Sequence, residues 1–398
     1  MLTPAEADAA IAAAVAPVSV ERVPLAACAG RTLREPVHAE RDAPPFDRVA
    51  MDGIAFALGT ERRRRFRVAG VQAAGSAPLA LASAADCFEV MTGAMLPRGC
   101  DTVVPVEQVT MRDDGVAELD AGCEPVPWRH VHRQGSDARS GDVLLEAGTI
   151  LAAPELAVAA SAGLPELAVS RAPRIAILTT GDELVEPGQP ILPHQVRRSN
   201  AYGLAAALSL AGFAPAANLQ LPDRQDTIES AFGQALRQCD ALVLSGGVSA
   251  GRFDYVPAAL ASLAVREIFH GIAQRPGRPM WFGSGPSGTP VFALPGNPVS
   301  VLVCLARYVV PALRRMVAAR AAELPTVVLA REYRFDRPLA CFLPVKLGYD
   351  RQGRTLAEPR PTGGSGDLIS LAGTDGFVEL PPGPATHAAG LAVTFHRW

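Results

Sequence analysis

The chain has 398 residues, which is more than one hydrophobic core usually organises, so we expect several domains. Hydrophobic residues make up 49% of the sequence, enough for packed cores, and the net charge of −3 argues against a nucleic-acid-binding or membrane-surface protein. The seven cysteines contain no C-x-x-C pair, which is typical of a reducing cytosol rather than of a disulfide framework, so we expect a cytoplasmic protein.

The N-terminal residues are predicted to form a helix. Thr3 stands at its N-cap, Pro4 at its first position, and Glu6 completes a capping box. The same segment lacks the features of a secretory signal, and no stretch reaches the roughly 18 to 20 uninterrupted apolar residues of a membrane span. From the proline-containing stretch at 42–47 to about Asp137, short strand-like runs alternate with turns, which predicts a compact β domain.

Strands alternate with helices in the middle of the chain. The predicted elements are, in order, a strand over 174–180, a helix to 210, a strand over 216–219, a helix over 225–237, strands over 241–244 and 290–294, and a helix to about 318. Ser199 or Asn200 is predicted to cap the first of these helices. The alternation predicts right-handed βαβ units and a mainly parallel sheet. After Pro325, short alternating runs indicate a small C-terminal β-barrel or sandwich.

Two glycine-rich motifs follow buried strands of this sheet, at the strand ends where open α/β sheets bind ligands. Gly246 and Gly247 would let backbone N–H groups approach a phosphate, although a plain strand-exit turn explains them about as well. Asn297 is placed to cap a helix that Pro298 starts, which leaves free amides for an anion. An ordinary capped helix start is the alternative.

Charged side chains occur in two further motifs. Asp182 and Glu183 end the first strand, and hard oxygen ligands of this kind suit Mg²⁺ bridging to phosphate, with a solvated turn as the alternative. Arg275 and Arg278 lie on a proline-stiffened turn and suit phosphate or another oxyanion, with a solvated surface turn as the alternative. Together the residues indicate a Mg²⁺-assisted enzyme that acts on a phosphorylated or nucleotidyl substrate.

Nine motifs, taken in order over nearly the whole chain, are more informative than any one of them. They are Ala50–Ala55, Met91–Ala94, Gly135–Asp137, Thr180–Leu184, Ser245–Ser249, Phe253–Tyr255, Arg275–Pro279, Leu294–Ser300 and Gly364–Asp367. The M-D-G, M-T-G-A, S-G-G-V-S and L-P-G-N-P-V-S elements in this order resemble the molybdopterin molybdenumtransferases, the family that includes the E domain of gephyrin.

The resemblance implies a multidomain α/β plus β fold with a central three-layer α/β domain. An elongated domain would consist of residues 1–42 and 138–172, with an inserted β domain at 43–137. A mainly parallel α/β molybdopterin-binding domain would span 173–321, and a β-barrel-like domain 322–398. The resemblance also implies a homodimer whose active site lies between the α/β and C-terminal domains of one subunit and the inserted domain of the other.

The resemblance also implies roles for acidic residues. Asp182 and Glu183 would hold Mg²⁺ near the pyrophosphate of adenylylated molybdopterin. Asp52, Thr92 and Asp137 would complete the site from the inserted domain. For Asp52, which lies in a Met-Asp-Gly turn, a purely turn-forming aspartate is the alternative.

Further implied site residues line the same cleft. Asp223 and Asp254 would act there as metal-binding, substrate-binding or water-orienting carboxylates, with helix capping as the alternative for Asp223. The implied substrate-binding residues are Gly246, Gly247, Ser249, Arg275, Arg278, Pro295, Gly296, Asn297, Pro298, Ser300 and Ser365. The implied reaction joins molybdate to the dithiolene sulfurs and cleaves the phosphoanhydride with release of AMP, and it needs no nucleophilic side chain.

The sequence departs from the family pattern in the expected molybdate pocket. The usual motif is K-P-G-K-P, whereas this chain has Arg275 and Arg278 in place of both lysines. Pro344 occupies a position where the family tends to carry an arginine, and Lys346 is a possible substitute. Two alternatives follow, a divergent paralogue that handles tungstate and a non-catalytic, pterin-binding dimeric scaffold. The resemblance implies a molybdopterin adenylyltransferase and molybdoenzyme chaperones as protein partners.

Overall fold

The computed structural model describes residues 1–61, 63–247, 255–383 and 385–398. The predicted site residues Ser249 and Asp254 lie outside the described residues. Within the described ranges, no helix is long and apolar enough to cross a membrane.

The chain begins with helix α1 (Pro4–Ala14), followed by strands β1 (Val20–Pro24) and β2 (Val37–His38). The predicted capping box is confirmed: the Thr3 hydroxyl accepts from the Glu6 amide at 3.2 Å, and the Glu6 carboxylate accepts from the Thr3 amide at 2.8 Å. Because two orphan N–H groups are satisfied in this way, the short helix begins at a defined residue.

The next strands are β3 (Arg48–Val49), β4 (Gly53–Phe56), β5 (Arg65–Gln72), β6 (Asp86–Val90), β7 (Thr102–Pro105), β8 (Val109–Met111), β9 (Val116–Leu119) and β10 (Val131–His132). Six of them form a sheet with the order β7-β4-β6-β5-β9-β8. Strands β5 and β6 are parallel, the other neighbours are antiparallel, and β3 pairs with β10 beside the sheet. We call this the inserted sheet.

The chain then returns to its N-terminal segment. Strand β11 (Val143–Leu145), helix α2 (Ala153–Ser161) and strand β12 (Glu166–Ser170) follow the inserted sheet. Strand β12 pairs with β1 and β11 pairs with β2, both antiparallel. The strands before and after the inserted sheet, together with α2, therefore form one unit with its own apolar core, whereas α1 packs elsewhere.

The central region is a three-layer α/β structure, as predicted. Its elements are β13 (Ile175–Thr180), β14 (Leu184–Val185), β15 (Val196–Arg197), α3 (Ser199–Leu210), β16 (Ala217–Leu221), α4 (Gln225–Gln238), β17 (Ala241–Ser245), α5 (Val256–Ser262), β18 (Arg266–His270), β19 (Gln274–Arg275), β20 (Trp281–Ser284), β21 (Pro290–Leu294), α6 (Pro298–Cys304), a π-helical segment (Leu305–Val309) and α7 (Val310–Met316).

The central sheet has the strand order β16-β13-β17-β21-β20-β18. The first four strands are parallel, β20 pairs antiparallel with β21, and the edge strand β18 pairs antiparallel with β20. Strands β13, β17 and β21 are buried along their whole length, because helices cover both faces of the sheet. Helices α1, α3, α6 and α7 pack in one core and α4 and α5 in the other.

The C-terminal region is a closed barrel, which decides between the barrel and the sandwich of the sequence prediction. Its strands are β22 (Thr326–Leu329), β23 (Tyr333–Arg334), β24 (Ala340–Tyr349), β25 (Thr355–Pro359), β26 (Gly376–Leu380), β27 (Thr386–His387) and β28 (Ala392–Arg397). Five of them close in the order β24-β25-β22-β28-β26, and β26 pairs again with β24. The two-residue strand β19 of the central region pairs in parallel with β24 and joins the two regions.

Candidate active site

Three carboxylate residues meet beyond the carboxyl end of β13. The Asp223 amide donates to Asp182 Oδ1 at 3.1 Å, and the Asp182 amide donates to Asp223 Oδ2 at 3.4 Å. The Glu183 carboxylate folds back over the turn, since a Cβ added at Gly181 would lie 2.7 Å from its oxygen. The N-cap of α4 is Arg224, so the alternative role of Asp223 as the helix cap is not what the structure shows.

The carboxylates at this edge could hold Mg²⁺ together with a substrate. Among the residues that the structure describes, no group of three or more His, Cys, Asp or Glu side chains is arranged to hold a metal by itself. Mg²⁺ is usually bound by one or two carboxylates together with substrate phosphates and water, not by an all-protein cage. The paired carboxylates of Asp182 and Asp223 fit that mode of binding.

The loop after β17 lies directly against the end of β13. Gly246 has φ +98° and Gly247 has φ +67°, a backbone conformation that side chains disfavour. A Cβ on Gly246 would lie 2.8 Å from the Thr180 carbonyl oxygen, and one on Gly247 would lie 3.1 Å from Thr180 Oγ1. Both positions therefore require glycine, and the loop places its backbone beside the carboxylates at the strand end.

The loop after β21 contacts the barrel. The Asn297 side-chain amide donates to Ser365 Oγ at 2.9 Å, and the Val299 amide donates to the Ser365 carbonyl at 3.0 Å. Asn297 occupies the N-cap position before Pro298, as predicted, but makes no side-chain cap. The expected capping bond is therefore absent, and the Val299 amide at the helix start is already taken by the barrel loop.

The remaining residues of this motif divide by exposure. Gly296 and Asn297 are exposed, whereas Pro295 and Ser300 are buried and shape the loop from behind. A Cβ on Gly296 would lie 3.8 Å from the Gly246 Cα, so the two glycine loops are neighbours at the sheet edge. The structure thus brings together the strand-end motifs that the sequence singled out.

Asn200 is a site residue whose role the sequence reasoning missed. Its side-chain amide donates to Ser245 Oγ at 3.1 Å and to the Gly296 carbonyl at 2.8 Å, which ties the two glycine loops together. The predicted cap by Ser199 or Asn200 is wrong, since Arg198 stands at the N-cap and both residues lie inside α3. An asparagine at a helix start has the same sequence pattern in either role, so no local signal distinguishes them.

Arg275 ends β19, Arg278 lies on the turn that follows it, and both are exposed but have different neighbours. Arg275 pairs with Cys341 of β24. Burial raises the pKa of the Cys341 thiol to about 12, and the nearby positive charge of Arg275 opposes that rise. Arg278 Nε lies 3.1 Å from the Met1 sulfur. Arg275 therefore faces the boundary with the barrel, and Arg278 faces the N-terminus.

The barrel carries two cations near Pro344. Lys346, the substitute considered for the missing arginine, donates to the Gly373 carbonyl at 3.1 Å. The Arg360 amide donates to the Pro344 carbonyl at 2.8 Å, so Arg360, one residue beyond β25, continues the β24–β25 register opposite Pro344. Opposed residues of an antiparallel pair share a sheet face. Arg360 was not identified from the sequence, because only the cross-strand register places it beside Pro344.

The inserted sheet holds Asp52 and Thr92 as a pair. The backbone amide and the hydroxyl of Thr92 each donate to Asp52 Oδ1 at 2.6 Å. These two hydrogen bonds lower the pKa of the Asp52 carboxyl below its ordinary value. The bond from the Thr92 hydroxyl has the larger effect, and the bond from the Thr92 amide the smaller. A Cβ on Gly53 would overlap the Val104 carbonyl oxygen, which explains the glycine of the Met-Asp-Gly turn.

Asp137 lies at a different place, where the chain leaves the inserted sheet. Its amide donates to the Ala43 carbonyl at 2.9 Å, and its carboxylate accepts from Ser136 Oγ at 3.0 Å. The hydrogen-bond partners of Asp52, Thr92 and Asp137 described above all belong to residues 43–137. None of these described contacts reaches the carboxylate edge of the central sheet.

The fold and the site define a class of protein. A doubly covered parallel sheet with carboxylates, glycine loops and an asparagine clamp at its carboxyl edge is an α/β enzyme scaffold for a phosphorylated ligand. Three family profiles match the chain: the MoeA N-terminal region (domain I and II) over 2–163, a probable molybdopterin binding domain over 176–315 and the MoeA C-terminal region (domain IV) over 326–398. The chain belongs to the MoeA family of molybdopterin molybdenumtransferases.

Individual relatives agree with this assignment. The chain is 42% identical to a molybdopterin molybdenumtransferase of Synechocystis, with 93% of each chain covered. It is 32% identical to molybdopterin molybdenumtransferase 2 of Mycobacterium tuberculosis, with 92% of each chain covered. The solved structure of the molybdopterin biosynthesis MoeA protein of Pyrococcus horikoshii OT3 matches with a TM-score of 0.83, 26% identity and 100% of both chains covered. The family and the fold class predicted from the sequence are confirmed.

Proposed function

We propose that this chain transfers molybdenum from molybdate to adenylylated molybdopterin, with Mg²⁺-dependent release of AMP. The observation that carries the proposal is the reciprocal pairing of Asp182 and Asp223 beside the loop of Gly246 and Gly247, at the carboxyl edge of the sheet. Carboxylates for a cation lie there close to a glycine backbone that leaves a phosphate room to approach. The identities of the two substrates, the pterin and the oxyanion, are inferred from membership of the family.

In this proposal Asp182 and Glu183 hold Mg²⁺, with Asp223 beside them. The bound ion would neutralise charge on the phosphoanhydride oxygens and on the leaving AMP. The loop of Gly246 and Gly247 cradles the phosphate end of the substrate, and the Asn200 clamp keeps this loop against Gly296. These residues bind and orient, and none of them acts as a nucleophile.

The oxyanion is proposed to lie where the central region meets the barrel. Arg275 at the end of β19 and Arg278 on the turn that follows it supply positive charge, and Ser365 offers a hydroxyl that already contacts Asn297. Placing two polyanions in one cleft is the main catalytic task, and positioning of this kind can supply up to about 7–11 kcal/mol.

We further propose that the enzyme is a homodimer. The Asp52–Thr92 pair and Asp137 would reach the carboxylate edge of the partner subunit, since their own hydrogen bonds stay within residues 43–137. The lowered pKa keeps Asp52 ionised there. The proposal also places the protein in the cytoplasm, in contact with a molybdopterin adenylyltransferase and molybdoenzyme chaperones. The free thiol state of all seven cysteines supports a reducing compartment.

Two other functions are alternatives because of specific substitutions. Arg275 and Arg278 present planar guanidinium groups where the family motif has compact ammonium groups, which favours an altered oxyanion such as tungstate. Pro344 in place of an arginine favours a scaffold that binds the pterin without turnover.

The experiment follows AMP release by chromatography. Purified protein is incubated with adenylylated molybdopterin and Mg²⁺, with molybdate, with tungstate or without oxyanion. We expect molybdate to stimulate AMP release, and Asp182→Asn to reduce it at least about 100-fold, since the amide keeps the acceptor for the Asp223 N–H but loses the charge. Stimulation by tungstate alone would identify the divergent paralogue. Tight pterin binding without AMP release would leave the scaffold.

A further inference from the structure

We propose that a buried polar network of Tyr308, Gln274 and Cys304 positions the turn that carries Arg275 and Arg278, and thereby sets the affinity for the oxyanion. This inference rests on the proposed function, in which these two arginines bind the oxyanion. The three network residues would be positioning residues, because they reach the substrate only through the turn.

The network connects a helix to the backbone of the turn. The Tyr308 hydroxyl donates to Gln274 Oε1, and Gln274 Nε2 donates to the Pro276 carbonyl at 3.0 Å and lies 3.7 Å from Cys304 Sγ. Gln274 and Cys304 are fully buried and Tyr308 is 1% exposed. The acceptor oxygen and both amide hydrogens of Gln274 therefore have partners, one of which belongs to the turn itself.

The turn is seated directly on these side chains. Gly277, between the two arginines, has φ +91°, and a Cβ there would lie 2.7 Å from Gln274 Nε2 and would overlap the Cys304 sulfur. Burial raises the pKa of the Cys304 thiol to about 12, so the sulfur keeps its proton and donates to the Gly277 carbonyl at 3.8 Å. The carbonyls of Pro276 and Gly277 thus each accept a hydrogen bond from a buried side chain of the network.

The position of the network argues for a purpose other than core packing. Ile272, Met280 and Leu305 belong to the same apolar core, where hydrocarbon side chains would avoid the cost of burying polar groups. A fully satisfied polar network in such a place fixes one geometry of the groups that it touches. Tyr308 also lies in the π-helical segment Leu305–Val309, and π-helical segments occur frequently at functional sites.

The test is Tyr308→Phe, which removes the hydroxyl and keeps the ring. We expect the KM for molybdate to rise about tenfold, because Gln274 loses its fixed partner and the turn gains freedom. The Kd for adenylylated molybdopterin should stay unchanged, since the glycine loops are untouched. Tyr202→Phe is the matched control: it also removes a tyrosine hydroxyl bonded to a side chain, that of Glu186 at 2.9 Å, on an exposed part of α3.

A second readout does not depend on turnover. Hydrogen exchange of residues 274–280, measured by mass spectrometry, should be faster in Tyr308→Phe than in the wild type and in Tyr202→Phe. If the wild type releases AMP but Tyr308→Phe leaves the molybdate KM unchanged, or weakens pterin binding equally, the positioning role is wrong and the transferase stands. If the wild type releases no AMP, the proposed function is wrong. If hydrogen exchange at 274–280 is the same in Tyr308→Phe as in the wild type, the positioning role of the network is wrong as well.

Discussion

The two surfaces that carry predicted site residues are assembled in different ways. At the carboxyl edge of the central sheet, the ends of β13, β17 and β21 meet because the strands are parallel neighbours, and Asn200 ties two of the loops together. In the inserted sheet, Asp52 and Thr92 are fixed to each other and to their own strands. Sheet topology thus assembles one half of the proposed site within a chain, whereas the other half is proposed to come from a second subunit.

The largest expected effect is complementation between two inactive variants, one with a substitution in the inserted sheet and one with a substitution at the central edge. Asp52→Ala and Asp182→Asn should each lose nearly all AMP release. When the two proteins are mixed and their subunits exchange, about a quarter of the wild-type activity should return, because half of the dimers are mixed and each mixed dimer has one intact site.

The measurement is AMP release after mild denaturation and refolding of the mixture. Each variant treated alone is the control, and both should stay inactive. If the mixture stays inactive although subunit exchange is verified by mass spectrometry, both halves of the site belong to one chain and the proposed difference between the surfaces is wrong.

A substitution at Gly53 should destabilise the inserted sheet and leave pterin binding at the central sheet unchanged. Gly53→Ala would force a Cβ against the Val104 carbonyl between β4 and β7, and should destabilise the inserted sheet by about 3 kcal/mol or more. Activity should fall with it, while adenylylated molybdopterin still binds to the central edge. Calorimetry and a pterin-binding titration measure the two effects.

Gly122→Ala is the matched control in the same region. A Cβ at Gly122 has no atom within 4 Å, so this variant should keep the stability and activity of the wild type. Equal loss of pterin binding and of stability in Gly53→Ala would mean that the two surfaces fold as one unit.

The smallest effect concerns the ionisation of Asp52. The Thr92 hydrogen bonds lower the pKa of Asp52, so its charge persists to lower pH than that of an ordinary aspartate. The stabilisation of the folded protein by these hydrogen bonds is therefore fully present above the ordinary pKa of an aspartate. It is lost as the pH falls through the lowered pKa of Asp52. Thr92→Val removes the hydroxyl bond, so the pKa of Asp52 should rise towards its ordinary value, and the acid limb of AMP release should move to higher pH.

Carbon-13 NMR titration of the Asp52 carboxyl measures this shift directly, and a pH–rate profile measures its consequence. Thr92→Ser keeps the donor hydroxyl and should leave both curves close to those of the wild type. An unmoved acid limb together with a raised pKa of Asp52 would show that this carboxylate does not contribute to turnover.

Patterns confined to neighbouring residues were predicted well from the sequence. The Thr3–Glu6 capping box and the buried strand ending at Thr180 are both present, because each depends on residues that are local in the chain. The roles of Asn200 and Asn297 were mistaken as helix caps. Both side chains bond instead to loops that are distant in sequence, and no local periodicity encodes such contacts.

The site was predicted in part for the same reason. Recognisable motifs located Asp182, Gly246 and the Arg275 turn, whereas the buried contacts of Gln274 with Tyr308 have no sequence signature. The proximity of Arg360 to Pro344 depends on the register of two barrel strands, which the alternation of residues alone does not determine.

The pairing of β19 with β24 attaches the barrel to the central region at Arg275. The backbone that leads to Arg275 is hydrogen-bonded into the barrel wall, and the barrel loop at Ser365 is bonded to the start of α6. A rotation of the barrel relative to the central sheet would therefore pull on both attachments at once. The position of Arg275 and the start of α6 are therefore coupled to each other through the barrel.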